Sequence, residues 1–276
     1  KWKLSDTVTF RAGQFKPALL REENMSSSKQ LATDRSSVNE TFNQDFTQGI
    51  ELIITEDDWR VMMSFNDGFG TDNTFYTSAT EADYAGTIRG ELRLGDASWS
   101  QYKQFTSWRG ASSGLLLGGA IHYQEMGSSN PSTNPTTEIT TGTIDASLVQ
   151  DGWNLYAAAL WRSMNNGMMT LTDAGYILQG GFFVSDQDEF FGRWDLITPS
   201  DSNPTVVGTS GANDFNALTV GWNHYLIPES HAAKFTLELQ HYPDPSTESI
   251  VSIRGNLLAD STSDQFAITA QFQLLF

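Results

Sequence analysis

The chain has 276 residues, no cysteine, 12% aromatic residues and a formal net charge of -17 at pH 7. This length suits one large β domain, and the composition is not that of a disordered chain. The acidic excess argues against nucleic-acid binding through a basic face, and the lack of any stretch of about 18 apolar residues excludes a helical membrane protein.

Apolar and polar residues alternate along most of the chain, and this period of two predicts strands with one apolar and one polar face. The pattern predicts about twelve strands, near residues 7–15, 45–55, 58–66, 83–95, 113–125, 137–149, 152–164, 173–185, 188–198, 213–226, 232–242 and 264–276. A membrane-spanning strand needs roughly 9 to 11 residues, whereas strands of soluble proteins mostly have about 5 to 6. The longer predicted strands therefore favour a membrane barrel.

The predicted connections alternate in length. Those near 56, 150, 186 and 229 are tight, and those around 16–44, 67–82, 126–136, 199–212 and 243–263 are long. Short turns on one side and long loops on the other are typical of outer-membrane barrels. The connection at 96–112 is the exception, because it is long but falls on the short-turn side.

These features predict an all-β, antiparallel transmembrane β-barrel, a single domain over residues 1–276, in the outer membrane. In such a barrel the apolar phase of each strand faces lipid and the polar phase faces the lumen. The alternative from another class is a soluble all-β sandwich or propeller, exported as a binding or scaffold protein.

Charged residues recur on the inward phase of the predicted strands, where they would line the lumen. The inward basic residues are Arg11, Arg60, Arg89, Arg93, Arg162, Arg193 and Lys234. The inward acidic residues are Glu51, Glu91, Asp145, Glu189, Asp195 and Glu238. The two signs are nearly balanced, which argues against a site that concentrates positive charge on one anion.

The last strand ends with Phe272, Leu274 and Phe276 on its apolar face. This ending resembles the C-terminal signal that the outer-membrane insertion machinery recognises. The alternative is that these residues are simply the lipid-facing side of the last strand.

The sequence contains one possible hydrolase motif and one possible calcium site, but the sequence context favours neither of them. The stretch 110–114 has Ser112 in a G-x-S-x-G pattern, followed in hydrolase order by Asp145 and His224, but a strand rather than a helix follows it. Asp67 and Asp72 are candidate calcium ligands in a loop, for which a solvated turn is the preferred interpretation. We therefore predict no enzyme, no cofactor and no other metal site.

Three stretches resemble the phosphate-selective porin O/P family. The first carries Gly13, Gln14, Phe15, Lys16 and Pro17, followed by a Ser-rich loop and the triplet Asp34, Arg35 and Ser36. The other two are the predicted hairpins at 174–197 and 218–242. Barrels of this family have sixteen strands and form trimers, and their G-Q-F-K strand comes after several others. The resemblance thus implies a homotrimer and about four strands before Lys1, although twelve strands also suffice for a complete small barrel.

The resemblance also implies that the loop at 16–44 folds into the pore and forms its constriction. Its basic residues Lys16, Arg21, Lys29 and Arg35 are then the candidates for selectivity, and Arg35 has the alternative role of a loop anchor paired with Asp34 or Glu40. We predict a porin: a water-filled channel for passive diffusion of small hydrophilic solutes and ions, with a preference for anions or phosphate left open by the balanced charges. Its partners would be outer-membrane lipid, the insertion machinery and the permeating ions, and not nucleic acid.

Overall fold

The computed structural model describes residues 1–71, 73, 81–126, 137–165, 167–200, 212–252 and 259–275. Thirteen strands form one antiparallel sheet in which each strand pairs with the next along the chain. The strands are β1 (Trp2–Lys3), β2 (Val8–Phe15), β3 (Thr47–Thr55), β4 (Trp59–Asn66), β5 (Ala82–Gly95), β6 (Gly114–Met126), β7 (Thr137–Gln150), β8 (Trp153–Asn165), β9 (Thr170–Phe183), β10 (Asp188–Thr198), β11 (Phe215–Tyr225), β12 (Ala233–Tyr242) and β13 (Gln265–Leu274).

The twelve predicted strands correspond to β2 to β13, and the all-β antiparallel prediction is confirmed. The prediction missed the two-residue strand β1, which pairs Trp2 with Phe10. Two residues are too few to display a period of two, so this strand left no pattern to detect. The connections also follow the predicted alternation, except that β8 and β9 are joined by only four residues on the long-loop side.

The two faces of the sheet have different side chains. In β8, for example, Trp153, Leu155 and Trp161 are exposed on one face, while Asn154 and Tyr156 are buried on the other. The same alternation leaves a broad band of exposed leucine, isoleucine and aromatic residues on the outer face of β3 to β13. In water such a surface would be strongly unfavourable, whereas in a bilayer it faces hydrocarbon.

None of the described residues forms a helix that is long and apolar enough to cross a membrane.

The loop between β2 and β3, residues 16–46, lies against the inner face of the sheet. It contains two short helices, α1 (Arg21–Asn24) and α2 (Ser37–Phe42), and a turn of 3₁₀ helix at Ser27–Lys29. Its apolar side chains, including Leu19, Leu31, Val38 and Phe42, are buried against inward-facing apolar residues of β8 to β11. This loop, called loop 16–46 below, therefore fills one half of the inner space with a hydrophobic core.

A second connection, between β5 and β6, also folds inward, but from the short-turn end of the sheet. In this segment, called segment 96–113 below, Tyr102 and Phe105 are buried. The ring of Trp108 packs on Tyr225 and His231. The two inward segments meet where the N–H of Phe105 donates to the carbonyl of Lys29, at 3.2 Å.

The two edge strands of the sheet are β1 and β13. In the described part of the chain no pairing joins β13 to β1 or β2, and the inner face of β13 is only partly buried. Phe272 and Leu274 are exposed on its apolar side, and Phe276 lies outside the described residues. Their role as an assembly signal stays a prediction.

Candidate functional site

Inward charged side chains hold loop 16–46 in place by bonding to its backbone. The guanidinium of Arg193 donates to the carbonyl of Asp34 at 2.9 Å, and the ammonium of Lys234 donates to that of Gln30 at 2.9 Å. The carboxylate of Glu238 accepts a hydrogen bond from the backbone N–H of Thr33 at 2.9 Å. Buried backbone N–H and C=O groups need hydrogen-bond partners. These charged side chains provide them for a loop that has little regular secondary structure of its own.

A cavity of about 390 Å³ remains between loop 16–46, segment 96–113 and the inner face of β2 to β5. We call it the cationic cavity, because its lining contains seven basic residues and two carboxylates. The basic residues are Lys1, Arg11, Arg21, Lys29, Arg60, Arg89 and Lys103, the carboxylates are Glu51 and Glu91, and the others are Ala18, Asn24, Met25, Ser26, Ile53, Met62 and Tyr102. A positive excess in a chain whose net charge is -17 marks this cavity as the candidate functional site.

The four predicted constriction residues do not lie together. Arg21 and Lys29 line the cationic cavity. Lys16 and Arg35 are not among its lining residues, and Lys16 forms ion pairs with Glu23 and with Asp45.

Arg35 has the contacts of a loop anchor. Its guanidinium donates to the carbonyls of Glu22 and Met25, at 3.3 and 2.9 Å. It also lies 3.5 Å from the carboxylate of Glu23. Its pairing with Asp34 or Glu40 stays a prediction. A direct effect of Arg35 on selectivity stays a prediction.

The eight predicted lumen charges all lie on the inner face but in different surroundings. Five of them, Arg11, Arg60, Arg89, Glu51 and Glu91, line the cationic cavity. Arg93 is bonded to the carbonyls of Asp57 and Ala97 at the short-turn end. Arg162 and Arg193 lie under loop 16–46, where they donate to the carbonyls of Thr41 and Asp34.

The near balance of charge argued from the sequence does not describe the cavity. Three of the six predicted inward carboxylates, Glu189, Asp195 and Glu238, are buried in the other half of the inner space. There they accept hydrogen bonds, for example from the hydroxyl of Tyr225 to Glu189 at 2.6 Å and from the N–H of Ser37 to Asp195 at 3.1 Å. The positive excess arises because loop 16–46 and segment 96–113 cover these acids, whereas the basic residues of β2 to β5 line the cavity.

A buried ion-pair network forms one wall of the cavity. Arg89 makes two hydrogen bonds of 2.8 Å to Asp145 and one of 2.9 Å to Glu91. Arg89 crosses over β6 at Gly118, where a Cβ atom would come within 2.2 Å of its guanidinium. Glu91 also accepts a hydrogen bond from Arg60, whose guanidinium stacks on the ring of Trp99 at 4.7 Å. The network fixes the positions of two guanidinium groups at the cavity.

Three ammonium groups complete the lining. The side-chain ammonium groups of Lys1, Lys29 and Lys103 make no hydrogen bond or ion pair with any described residue. Charges that are not neutralised by neighbours are the ones that attract mobile anions. These lysines, with the arginines held by the network, give the cavity its electrostatic character.

The buried carboxyl group of Glu22 makes the docking of loop 16–46 depend on pH. The carboxylate accepts the N–H of Ser36 at 2.8 Å and the hydroxyl of the same residue. Burial raises the pKa of Glu22 from its ordinary value of 4.5 to about 7, against the opposing effects of Arg193 and Ser36. The docked loop thus binds this proton more tightly than the undocked loop does.

We expect docking of loop 16–46 to weaken with rising pH. A pKa of about 7 when docked and 4.5 when exposed means that docking is strongest below pH 4.5 and weakens as pH rises through 7. The difference amounts to about 3 kcal/mol. In the porin that the sequence predicts, current noise from single channels should therefore increase between these limits in the wild type and stay constant over the same range in Glu22→Gln. A Glu22→Gln variant with unchanged pH dependence would contradict the assignment.

The described contacts do not assemble the alternative sites. Asp145 is bonded to Arg89, His224 to Asp188 at 2.9 Å, and the carbonyl of Ser112 accepts from Gln101. In the calcium candidate, Asp67 accepts hydrogen bonds from neighbouring backbone and hydroxyl groups, and Asp72 lies outside the described residues. Among the described residues no group of three or more metal-ligating side chains is present.

Sequence reasoning missed part of the site. Tyr102 and Lys103 line the cavity from segment 96–113, whose only signal was an unusual length on the short-turn side. Ile53 and Met62 also line it, although an inward apolar residue departs from the alternation expected of a barrel.

No protein-family model matches the chain, and no curated protein matches it by sequence. Among solved structures, the fold is similar to that of OmpT, an outer membrane protein of Vibrio cholerae, folded in vitro and in its trimer form. The TM-score is 0.60 at 9% identity, over 98% of this chain and 78% of that chain. A mutant of OmpT that lacks loop L8 matches with a TM-score of 0.55 at 8% identity, over 86% of this chain and 71% of that chain.

These likenesses show the fold, and the barrel prediction is confirmed at that level. An antiparallel sheet with an apolar outer face can span a bilayer only as a barrel, since open edges cannot face lipid. Fold and outer face together place the chain in the outer membrane, as the sequence predicted, and exclude the soluble sandwich or propeller.

Proposed function

We propose that this protein is an outer-membrane porin, in which small hydrophilic solutes and ions diffuse passively through a pore narrowed by loop 16–46 and segment 96–113. The pore prefers anions. The observation that carries this proposal is the cationic cavity, where seven basic side chains face two carboxylates in an otherwise acidic protein.

The physical basis of selectivity is the separation of charges described above. A pore whose lining carries more basic than acidic side chains lowers the energy of a passing anion and raises that of a cation. Where the path is narrow, the charges act at a few ångström, well within the Debye length of about 8 Å at physiological salt. The buried carboxylates of the other half contribute little at the cavity, because Asp195 and Glu238 are bonded to loop 16–46 and Glu189 is bonded to Tyr225.

Planar-bilayer reversal potentials in a KCl gradient test this proposal. We expect a wild type that prefers chloride, and a loss of preference in Lys29→Glu by at least about fivefold, because two unit charges 4 Å apart interact by about 1 kcal/mol in water. Lys3→Glu is the matched control, since Lys3 is exposed and pairs with Asp6 outside the cavity. A cation-selective wild type, or equal effects of both variants, would contradict the anion preference.

The resemblance of Gly13–Pro17 and Asp34–Ser36 to the phosphate-selective porin O/P family supports membership of that family as part of the proposal. Phosphate then becomes one of the anions to be compared with chloride in the same bilayer measurement. A homotrimer is proposed on the same resemblance, and the trimer form of OmpT is consistent with it. In this proposal the protein acts as a channel and not as an enzyme.

A further inference from the structure

The cationic cavity has an apolar patch that electrostatic attraction of ions does not require. Ile53 on β3 and Met62 on β4 are register partners, and both line the cavity. Both are partly exposed, and neither belongs to the hydrophobic cores that loop 16–46 and segment 96–113 form with the sheet. The side chains are therefore apolar surface facing the pore.

This position contrasts with the other inward apolar residues of the sheet. Tyr156, Leu160, Ile177 and Phe191 also face inward, but they are buried in the core that the sheet forms with loop 16–46 and Phe105. Burial explains their apolar character, since each side chain stabilises the docked loop. It does not explain Ile53 and Met62, which remain open to the cavity.

Fixed cations surround the patch. Met62 pairs in register with Arg89 on β5, and Arg60 precedes it by two residues on the same face of β4. The guanidinium groups are held by Glu91 and Asp145, so they do not fold over the patch. Lys29 and Lys103 add unpaired ammonium groups to the same lining. A ligand in this cavity meets positive charge and apolar surface side by side.

We propose that the cationic cavity is a binding site for small organic carboxylates with an apolar body, such as an aromatic or branched-chain monocarboxylate. The carboxylate lies against the basic side chains, and the apolar body lies against Ile53 and Met62. The cavity volume of about 390 Å³ suits a ligand of this size. This inference rests on the channel proposed above and names a class of solute that it selects.

Benzoate and acetate are the probes, because they carry the same charge and differ in apolar surface. In single-channel recordings in KCl, benzoate should reduce the chloride current of the wild type at concentrations where acetate does not. Met62→Gln preserves size and charge, and we expect it to weaken block by benzoate by about tenfold, the effect of losing one good apolar contact in a pocket. Met168→Gln is the matched control, since Met168 is exposed in the β8–β9 connection and lies outside the cavity lining.

The outcomes separate this inference from the channel itself. Equal block by benzoate and acetate, or equal loss of block in Met62→Gln and Met168→Gln, would overturn the carboxylate site while leaving the anion channel intact. If no channel current is found, calorimetric titration of the detergent-solubilised protein with benzoate decides the matter. Binding that Met62→Gln weakens would support the site without the channel, and absence of binding would overturn it.

Discussion

Replacing Phe42 with alanine is expected to undock loop 16–46 and raise the single-channel conductance. Phe42 is fully buried at the end of α2, where its ring lies under the guanidinium of Arg162 at 4.7 Å and near Gly175 of β9. Removing a buried phenylalanine side chain costs about 3 to 5 kcal/mol. Helices of four and six residues have little stability of their own, so this loss should shift loop 16–46 toward the undocked state despite the hydrogen bonds from Arg193 and Lys234.

Conductance and selectivity in planar bilayers measure the effect of Phe42→Ala. An undocked loop widens the path and uncovers Asp195 and Glu238, so conductance should rise while anion preference falls. Phe46→Ala is the control in the same loop, because Phe46 is exposed and its ring lies under the ammonium of Lys16. A Phe42→Ala channel with wild-type conductance and selectivity would mean that the hydrophobic core does not hold the loop.

Replacing Arg89 with methionine is expected to be the most destabilising single change in the cavity wall. The substitution leaves Asp145 as a buried carboxylate without its two hydrogen bonds of 2.8 Å. Breaking a buried ion pair in this way costs about 3 to 5 kcal/mol. Urea unfolding of the protein in lipid vesicles, followed by tryptophan fluorescence, would measure the loss.

Two further variants test the cause of that loss. Arg89→Met combined with Asp145→Leu should recover much of the stability, because no unpaired charge remains buried. Arg109→Met should change the unfolding free energy by less than about 1 kcal/mol, because Arg109 and Asp186 form an exposed pair. Equal losses in Arg89→Met and the double variant would show that packing, rather than the unpaired carboxylate, is responsible.

The sheet was predictable from the sequence because each strand shows its period of two independently. At β10, for example, Phe190 and Trp194 alternate with Glu189 and Arg193. The parity of a residue's position along the strand, odd or even, alone assigns it to the outer or the inner face. The same parity placed all eight predicted lumen charges on the inner face. It needs no knowledge of which strands lie opposite one another.

The site was less predictable because it depends on what covers the inner face. Parity assigns Glu238 and Arg60 to the same side, but only the docked loop makes one a buried anchor and leaves the other at the cavity. The bond between Arg89 and Asp145 depends on the register of three strands and on Gly118 between them. Such relations between distant segments leave no local periodic signal.

The anchoring of loop 16–46 has a consequence for the order of folding. Thr33 of the loop bonds to Glu238 of β12, 205 residues further along the chain, and Arg21 bonds to Ser147, 126 residues away. Contacts of such sequence separation form late, since the intervening chain must first be ordered. The loop can reach its final position only after nearly every strand has paired. The protein should therefore pass through a stage in which the sheet is already assembled in the membrane but its interior is still unobstructed.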